Sequence, residues 1–190
     1  MRARLISARL LEPLYAVDNT IRAFALVRAA IPEATLDVYG SGSSLASLRR
    51  LAREVGDVGV TFHGAVPHAA MPTAFAGGGI LVNSSRIDNA PHVLIEAWAA
   101  GLPIVSTRAG GIPDIVEDGR TGLLVPLDDP QALADATLRL LREPELAIRL
   151  AEAGRESCVD YSWQRAADGW RSVYFAVAAS SSDRLGAAGS

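Results

Sequence analysis

Six short apolar runs punctuate the chain: Arg4 to Ala8, Thr35 to Tyr39, Val60 to His63, Ile80 to Asn83, Ile104 to Ser106 and Gly122 to Val125. Runs this short and this continuously apolar suit strands buried on both faces, and parallel strands must be joined by crossovers, usually helical. Helical patterning fills the gaps, over Val17 to Ala30, Leu45 to Val55, a short piece near Met71 to Ala76, Pro91 to Ala100 and a turn near Ile112 to Val116. Two or three further helices, over Gln131 to Arg142, Pro144 to Val159 and Trp163 to Ala178, follow the last strand. Alternation of this kind predicts an α/β fold, a doubly wound, Rossmann-like parallel sheet covered by helices on both faces. Such sheets bind ligands beyond the carboxyl ends of their strands, so chemistry is sought in the loops that follow each run.

The length, 190 residues, suits one core, and residues 1–178 are read as one domain. After Ala178 the chain is Ala, Ser and Gly with Asp183 and Arg184, so 179–190 are expected to form a disordered tail. All 18 basic residues are arginine, and the formal charge of -3 gives no basic footprint for nucleic acid. A lone Cys158 rules out an internal disulfide and a multi-thiolate metal site. The uncharged stretch from Gly64 to Ser85 is broken by Pro67, Pro72 and Gly77 to Gly79, which argues against a membrane span. Arg9 and Glu12 interrupt any signal-peptide core, and the chain is expected in the cytoplasm, peripheral to a membrane at most through a partner.

Three loops carry candidate chemistry. The run ending at Tyr39 leads into Gly40, Ser41 and Gly42, where a backbone could approach a nucleotide. Leu45 stands where the dinucleotide fingerprint needs its third glycine, so the pair reads equally as a tight turn, and a hydride-transfer domain is disfavoured. In Asp88-Asn89-Ala90-Pro91-His92, Pro91 suits a first helical position and Asn89 a cap. Asp88 then stands at the helix mouth, with Glu96 roughly 12 Å along the axis on the face of His92. Acids so spaced could hold hydroxyls at the two ends of a ligand whose diphosphate lies on the helix dipole, the layout of a nucleotide sugar. The plainer reading is that Asp88 caps and Glu96 is a solvated surface acid. Ala109-Gly110-Gly111 could be an anion nest or a simple turn. His63, His68 and His92 have no metal-ligand spacing, and a P-loop needs the lysine this chain lacks.

Taken together, the run DNAPHVLIEAWAAGLPIVSTRAGGIPDIV resembles the signature of the retaining group 1 glycosyltransferases of two-domain GT-B fold. SARLLEPLYAVDNTIRAFA, DVYGSGSSL, VTFHGAVP, DGRTGLLVP and YSW agree in order and spacing. The resemblance covers roughly Arg4 to Ala178 and matches only the carboxyl-terminal, donor-binding half of such enzymes. It implies a nucleoside diphosphate sugar as donor, no metal or other cofactor, and an acceptor-binding domain supplied by another chain or lost by truncation, without which this half is inactive. It further implies that Glu96 holds the ribose hydroxyls, Asp88 contacts the sugar, and Arg9 meets the diphosphate. Gly40 would lie beside the nucleoside, Val66 at the base, and Asn89, Ala90 and His92 would present backbone N–H groups to sugar and phosphate.

The chain departs from that pattern where charge matters. Ala8 replaces the usual glycine before the arginine, Leu14 and Tyr15 the usual lysine and glycine after it, and Asp88 the first glutamate. Loss of a charge-assisted phosphate contact should weaken donor binding unless another cation substitutes, and Arg86 and Arg108 are candidates. The alternative is a non-catalytic module that binds a nucleotide or a partner protein through the same loops.

Overall fold

The computed structural model describes residues 3–56 and 58–187. The chain divides into a compact unit ending at Glu156 and a second beginning at Ser157. In the first unit, β1 (Arg4–Ala8), β2 (Thr35–Tyr39), β3 (Val60–Gly64), β4 (Ile80–Asn83), β5 (Ile104–Thr107) and β6 (Leu123–Val125) form one sheet in the order β3-β2-β1-β4-β5-β6. Every pairing is parallel. The direction of winding reverses between β1 and β4, so a crevice opens beyond the carboxyl ends of those two strands.

The crossovers are α1 (Val17–Ala30), α2 (Leu45–Glu54), α3 (Met71–Phe75), α4 (His92–Ala99) and α5 (Ile112–Ile115), followed by α6 (Pro130–Arg142) and α7 (Pro144–Ser157). Ile21, Phe24 and Val27 of α1 and Leu133 and Leu140 of α6 pack on Leu5, Leu36, Val38, Ile80 and Val105 in one apolar core. Strands β4, β5 and β6 are buried throughout, as continuous apolar runs require, whereas β3 at the sheet edge alternates between half-buried and exposed. Tertiary packing and caps trim or extend several expected boundaries by a residue or two. Helix α6, for instance, starts at Pro130 because the Asp129 carboxylate accepts the Ala132 N–H at 2.9 Å.

The second unit holds a short 3₁₀ turn, Cys158–Tyr161, and α8, Trp163–Ala187. Composition places the end of this helix at Ala178, but no proline or helix-ending glycine stops it there, and the Ala- and Ser-rich continuation stays helical to Ala187. The remainder of the expected tail lies outside the described residues. Trp163, Trp170, Tyr174 and Phe175 are exposed along α8, with the rings of Trp170 and Tyr174 6.1 Å apart. Among the described residues, no helix is long and apolar enough to cross a membrane.

Candidate functional site

A cavity of about 370 Å³ opens at the reversal of the sheet, lined by Ala8, Arg9, Tyr15, Gly40, Val66 and Glu96 among others. Arg9 follows β1, Gly40 follows β2, Val66 follows β3, and Glu96 comes from α4, so four separate crossovers converge on it. Gly40 has φ +135°, and a Cβ there would run into the Arg9 carbonyl. The close pairing of these two chain ends, with the Arg9 N–H donating to Tyr39 O at 3.1 Å, therefore admits only glycine. The Gly40–Gly42 segment is accordingly a point of close backbone approach.

The loop after β4 is held from beneath by buried polar groups. Thr20 and Ser84 share a hydrogen bond of 2.8 Å, and Ser84 also donates to the Ala16 carbonyl at 2.7 Å. Ser85 donates to Asn83 at 2.9 Å, Asn83 donates to Ser106 at 3.0 Å, and Thr107 donates to the Ser85 carbonyl at 2.6 Å. These bonds tie the loop to β5 and to the turn before α1, and so hold the path of the chain toward Asp88. From the other side, Gly111 donates its N–H to Asp88 O at 3.0 Å, and Cβ atoms on Gly110 or Gly111 would collide with the backbone of Asp88 and Asn89. The paired glycines thus act here as a surface against which the Asp88 loop is pressed.

That placement brings Asp88 to Arg9. The Arg9 Nη2 donates to the Asp88 carboxylate, both side chains are nearly buried, and the guanidinium lies over the Tyr15 ring with its carbon 4.3 Å from the centroid. Arg9 Nε is buried and, among the described residues, has no acceptor. An N–H left in this way costs free energy until an acceptor arrives, and a phosphate oxygen is such an acceptor. Glu96, which also lines the cavity, is half-buried, and its Oε1 lies 2.9 Å from Nε2 of the exposed His68. Nearby, Asp37 is flanked by Arg4 Nε at 2.6 Å and His63 Nε2 at 2.7 Å. Burial pushes the Asp37 carboxyl up, but the hydrogen bonds from His63 and Arg4 together outweigh it and hold it below the usual carboxylate range. His63 also stacks on Tyr39, which lines the cavity, with centroids 4.3 Å apart.

Arg9, Gly40, Val66 and Glu96 therefore share one cavity, and Asp88 joins them through Arg9. Asn89, Ala90 and His92 are exposed and do not line it, although α4 opens at His92, with the Leu94 N–H donating to Pro91 O at 3.0 Å. Pro91 is the residue before the helix instead of its first residue, and Asn89 makes no capping bond, because Pro91 is extended at ψ 93°. The two arginines weighed as substitutes for the family lysine are otherwise engaged. Arg108 pairs with Asp118, while Arg86 reaches Asp128 at 2.7 Å and the Pro13 carbonyl at 2.8 Å. Arg86 nonetheless sits at the Leu14 turn, donating its backbone N–H to Leu14 O at 2.8 Å. Sequence reading missed Tyr15 and His68 as parts of the site; only the aromatic character of the one and the loop position of the other were visible.

Comparison with known proteins bears on the same residues. Over 167 residues the chain is 35% identical to the GDP-mannose-dependent alpha-(1-6)-phosphatidylinositol monomannoside mannosyltransferase of Mycolicibacterium smegmatis, covering 81% of this chain and 42% of that protein. It is also 35% identical over 178 residues to the D-inositol 3-phosphate glycosyltransferase of Streptomyces avermitilis, covering 88% of this chain and 38% of the relative. The chain thus spans about two fifths of the length of these relatives. Among solved structures, the sucrose-phosphate synthase of Thermosynechococcus elongatus superposes with a TM-score of 0.81 at 28% identity, over 95% of this chain and 47% of that one. The C-terminal domain of a group 1 glycosyl transferase family protein from Francisella tularensis superposes at 0.75 with 21% identity, over 82% of this chain and 84% of that domain. With residues 3–143 matching the model of the glycosyl transferases group 1, and relatives of that kind aligned along most of its length, this chain belongs to the group 1 glycosyltransferase family.

Proposed function

We propose that the chain is the donor-binding half of a retaining glycosyltransferase, which takes a sugar from a nucleoside diphosphate sugar and passes it to an acceptor held by a domain outside this sequence. The observation that carries the reading is the Arg9 guanidinium, nearly buried in the cavity lining with Nε lacking an acceptor among the described residues. A diphosphate there would accept from both edges of the guanidinium fork. The N–H groups of His92 and Val93, which open α4, add a favourable partial charge for the same anion, and Asn89 and Ala90 lead into that turn. Glu96 would accept the ribose hydroxyls, Val66 and Gly40 would bound the base and nucleoside, and Asp88 would accept from the sugar.

In the transfer, the bond between the anomeric carbon and the diphosphate oxygen breaks as the acceptor oxygen bonds to that carbon. The acceptor proton passes to the leaving phosphate, so no side chain of this half serves as the base. The contribution of this half is to stabilise charge growing on the diphosphate, with Arg9 as the nearest cation and no metal called upon. Support for an acceptor domain elsewhere comes from the fraction of the relatives' length that the chain spans and from the exposed aromatic residues of α8. The test is thermal unfolding of the full chain with uridine, guanosine and adenosine diphosphate sugars. A ligand at a hundred times its Kd adds about 2.7 kcal/mol, which raises the midpoint by about 5–10 °C at this size. A shift with one base supports the donor site; no shift with any of them favours a partner-binding module.

A further inference from the structure

We infer that Asp88 masks Arg9 when no ligand is bound, so that the site discriminates between a sugar-bearing diphosphate and the bare diphosphate left after transfer. The inference rests on the reading above in taking Arg9 as the anion contact and Asp88 as the residue that faces the donor sugar. Its own basis is the pairing itself. Arg9 and Asp88 come from crossovers on the two sides of the winding reversal, and they meet with both side chains nearly withdrawn from water. Tyr15 holds the guanidinium from one face, and the Arg9 carbonyl is pinned against Gly40, so the arginine has little freedom to turn away from its partner. Asp88 is likewise fixed through Gly111 and the buried network beneath its loop. An anion that satisfies the vacant Nε meets the edge of the guanidinium that Nε shares with Nη2, and there it competes with Asp88.

The displaced carboxylate then needs a donor of its own, because an unpaired, nearly buried charge is costly. The hydroxyls of a donor sugar supply one; the ionised oxygens of pyrophosphate or of a nucleoside diphosphate do not. The bare diphosphate carries one more negative charge than its sugar ester and would otherwise be held more tightly by Arg9. Asp88 opposes that, since it returns to the guanidinium once the sugar has gone. Asp88 is thus a specificity-determining residue whose effect on the phosphates acts through Arg9.

The test is calorimetric titration of the full chain and its Asp88→Asn and Asp88→Ala variants with inorganic pyrophosphate at low salt, alongside the nucleotide-sugar panel. Both variants are expected to bind pyrophosphate about tenfold more tightly than the wild type, within the ~5- to 150-fold range of couplings between competing interactions. The gain must vanish when Arg9→Gln is added, an outcome that a general loosening of the loop would not produce. Equal or weaker pyrophosphate binding in both variants overturns the inference. A gain for pyrophosphate with no nucleotide bound by any form leaves the masking standing and removes the donor reading; donor binding without the gain does the reverse. If neither variant folds, the wild type decides. Pyrophosphate must then move the Asp88 carboxylate carbon resonance, and an unmoved resonance overturns the inference.

Discussion

Replacing Glu96 by alanine separates recognition from folding more sharply than any other single change at this site. The carboxylate is half-buried at the cavity wall, and its partner is His68 Nε2, an exposed group at 2.9 Å. A pair so open to water contributes about 0–1 kcal/mol, so the midpoint of the unliganded chain should move by no more than about 4 °C. Binding is another matter. Two hydroxyls donating to one carboxylate form charge-assisted bonds of about 1.5–3 kcal/mol each, so their loss lowers affinity by about 10²- to 10⁴-fold. At a donor concentration a hundred times the wild-type Kd, the variant is then half saturated at most. The stabilisation falls from about 2.7 to about 0.4 kcal/mol, and the shift falls from about 5–10 °C to about 1 °C. The assay is a thermal scan with and without the donor that stabilises the wild type. A Glu96→Ala shift within about 2 °C of the wild-type shift refutes the assignment of Glu96 to the ribose.

Other consequences follow from particular contacts. Gly40→Ala places a Cβ against the Arg9 carbonyl at φ +135° and should destabilise the fold by about 2–4 kcal/mol, read as a midpoint lowered by about 5–15 °C. Trp98 is fully buried and its indole N–H donates to Thr121 O at 2.8 Å, so Trp98→Phe should cost about 2–4 kcal/mol, seen in urea unfolding as a lower midpoint with an unchanged slope. The Asp37 carboxyl is held below its unfolded value, so its contribution to stability is present above about pH 4 and is lost as pH falls through the lower folded value. Unfolding measured from pH 6 to pH 2.5 should therefore be less acid-sensitive in Asp37→Asn than in the wild type; parallel profiles would contradict the sign. Arg9→Gln should weaken pyrophosphate binding below the wild-type level in a calorimetric titration.

Much of the architecture is legible in order and type because local rules and the global fold agree. Continuous apolar runs such as Ile80 to Asn83 have nowhere to go but a doubly covered parallel sheet, and the carboxyl ends of such strands are where ligands bind. Gly40 and the acids eight residues apart were likewise visible, since turn chemistry and helix spacing are short-range properties. Helix ends were less so. Asp129 starts α6 earlier than periodicity suggests, Pro91 keeps α4 from starting until His92, and nothing in the Ala- and Ser-rich segment stops α8 at Ala178.

The meetings of residues far apart in the chain were decided by tertiary structure alone. Spacing can place Asp88 at a helix mouth, but it takes the crossing of the sheet at β1 and β4 to bring it to Arg9, 79 positions away. The same holds for Tyr15 beneath the guanidinium, His68 on Glu96, and the glycines at 110 and 111, which the sequence leaves equally readable as a nest or a turn. Periodicity reports which face of an element is buried, because that is set over a few residues by the hydrophobic effect. Which charge meets which depends on how elements pack, and that arrangement is specified by the whole core.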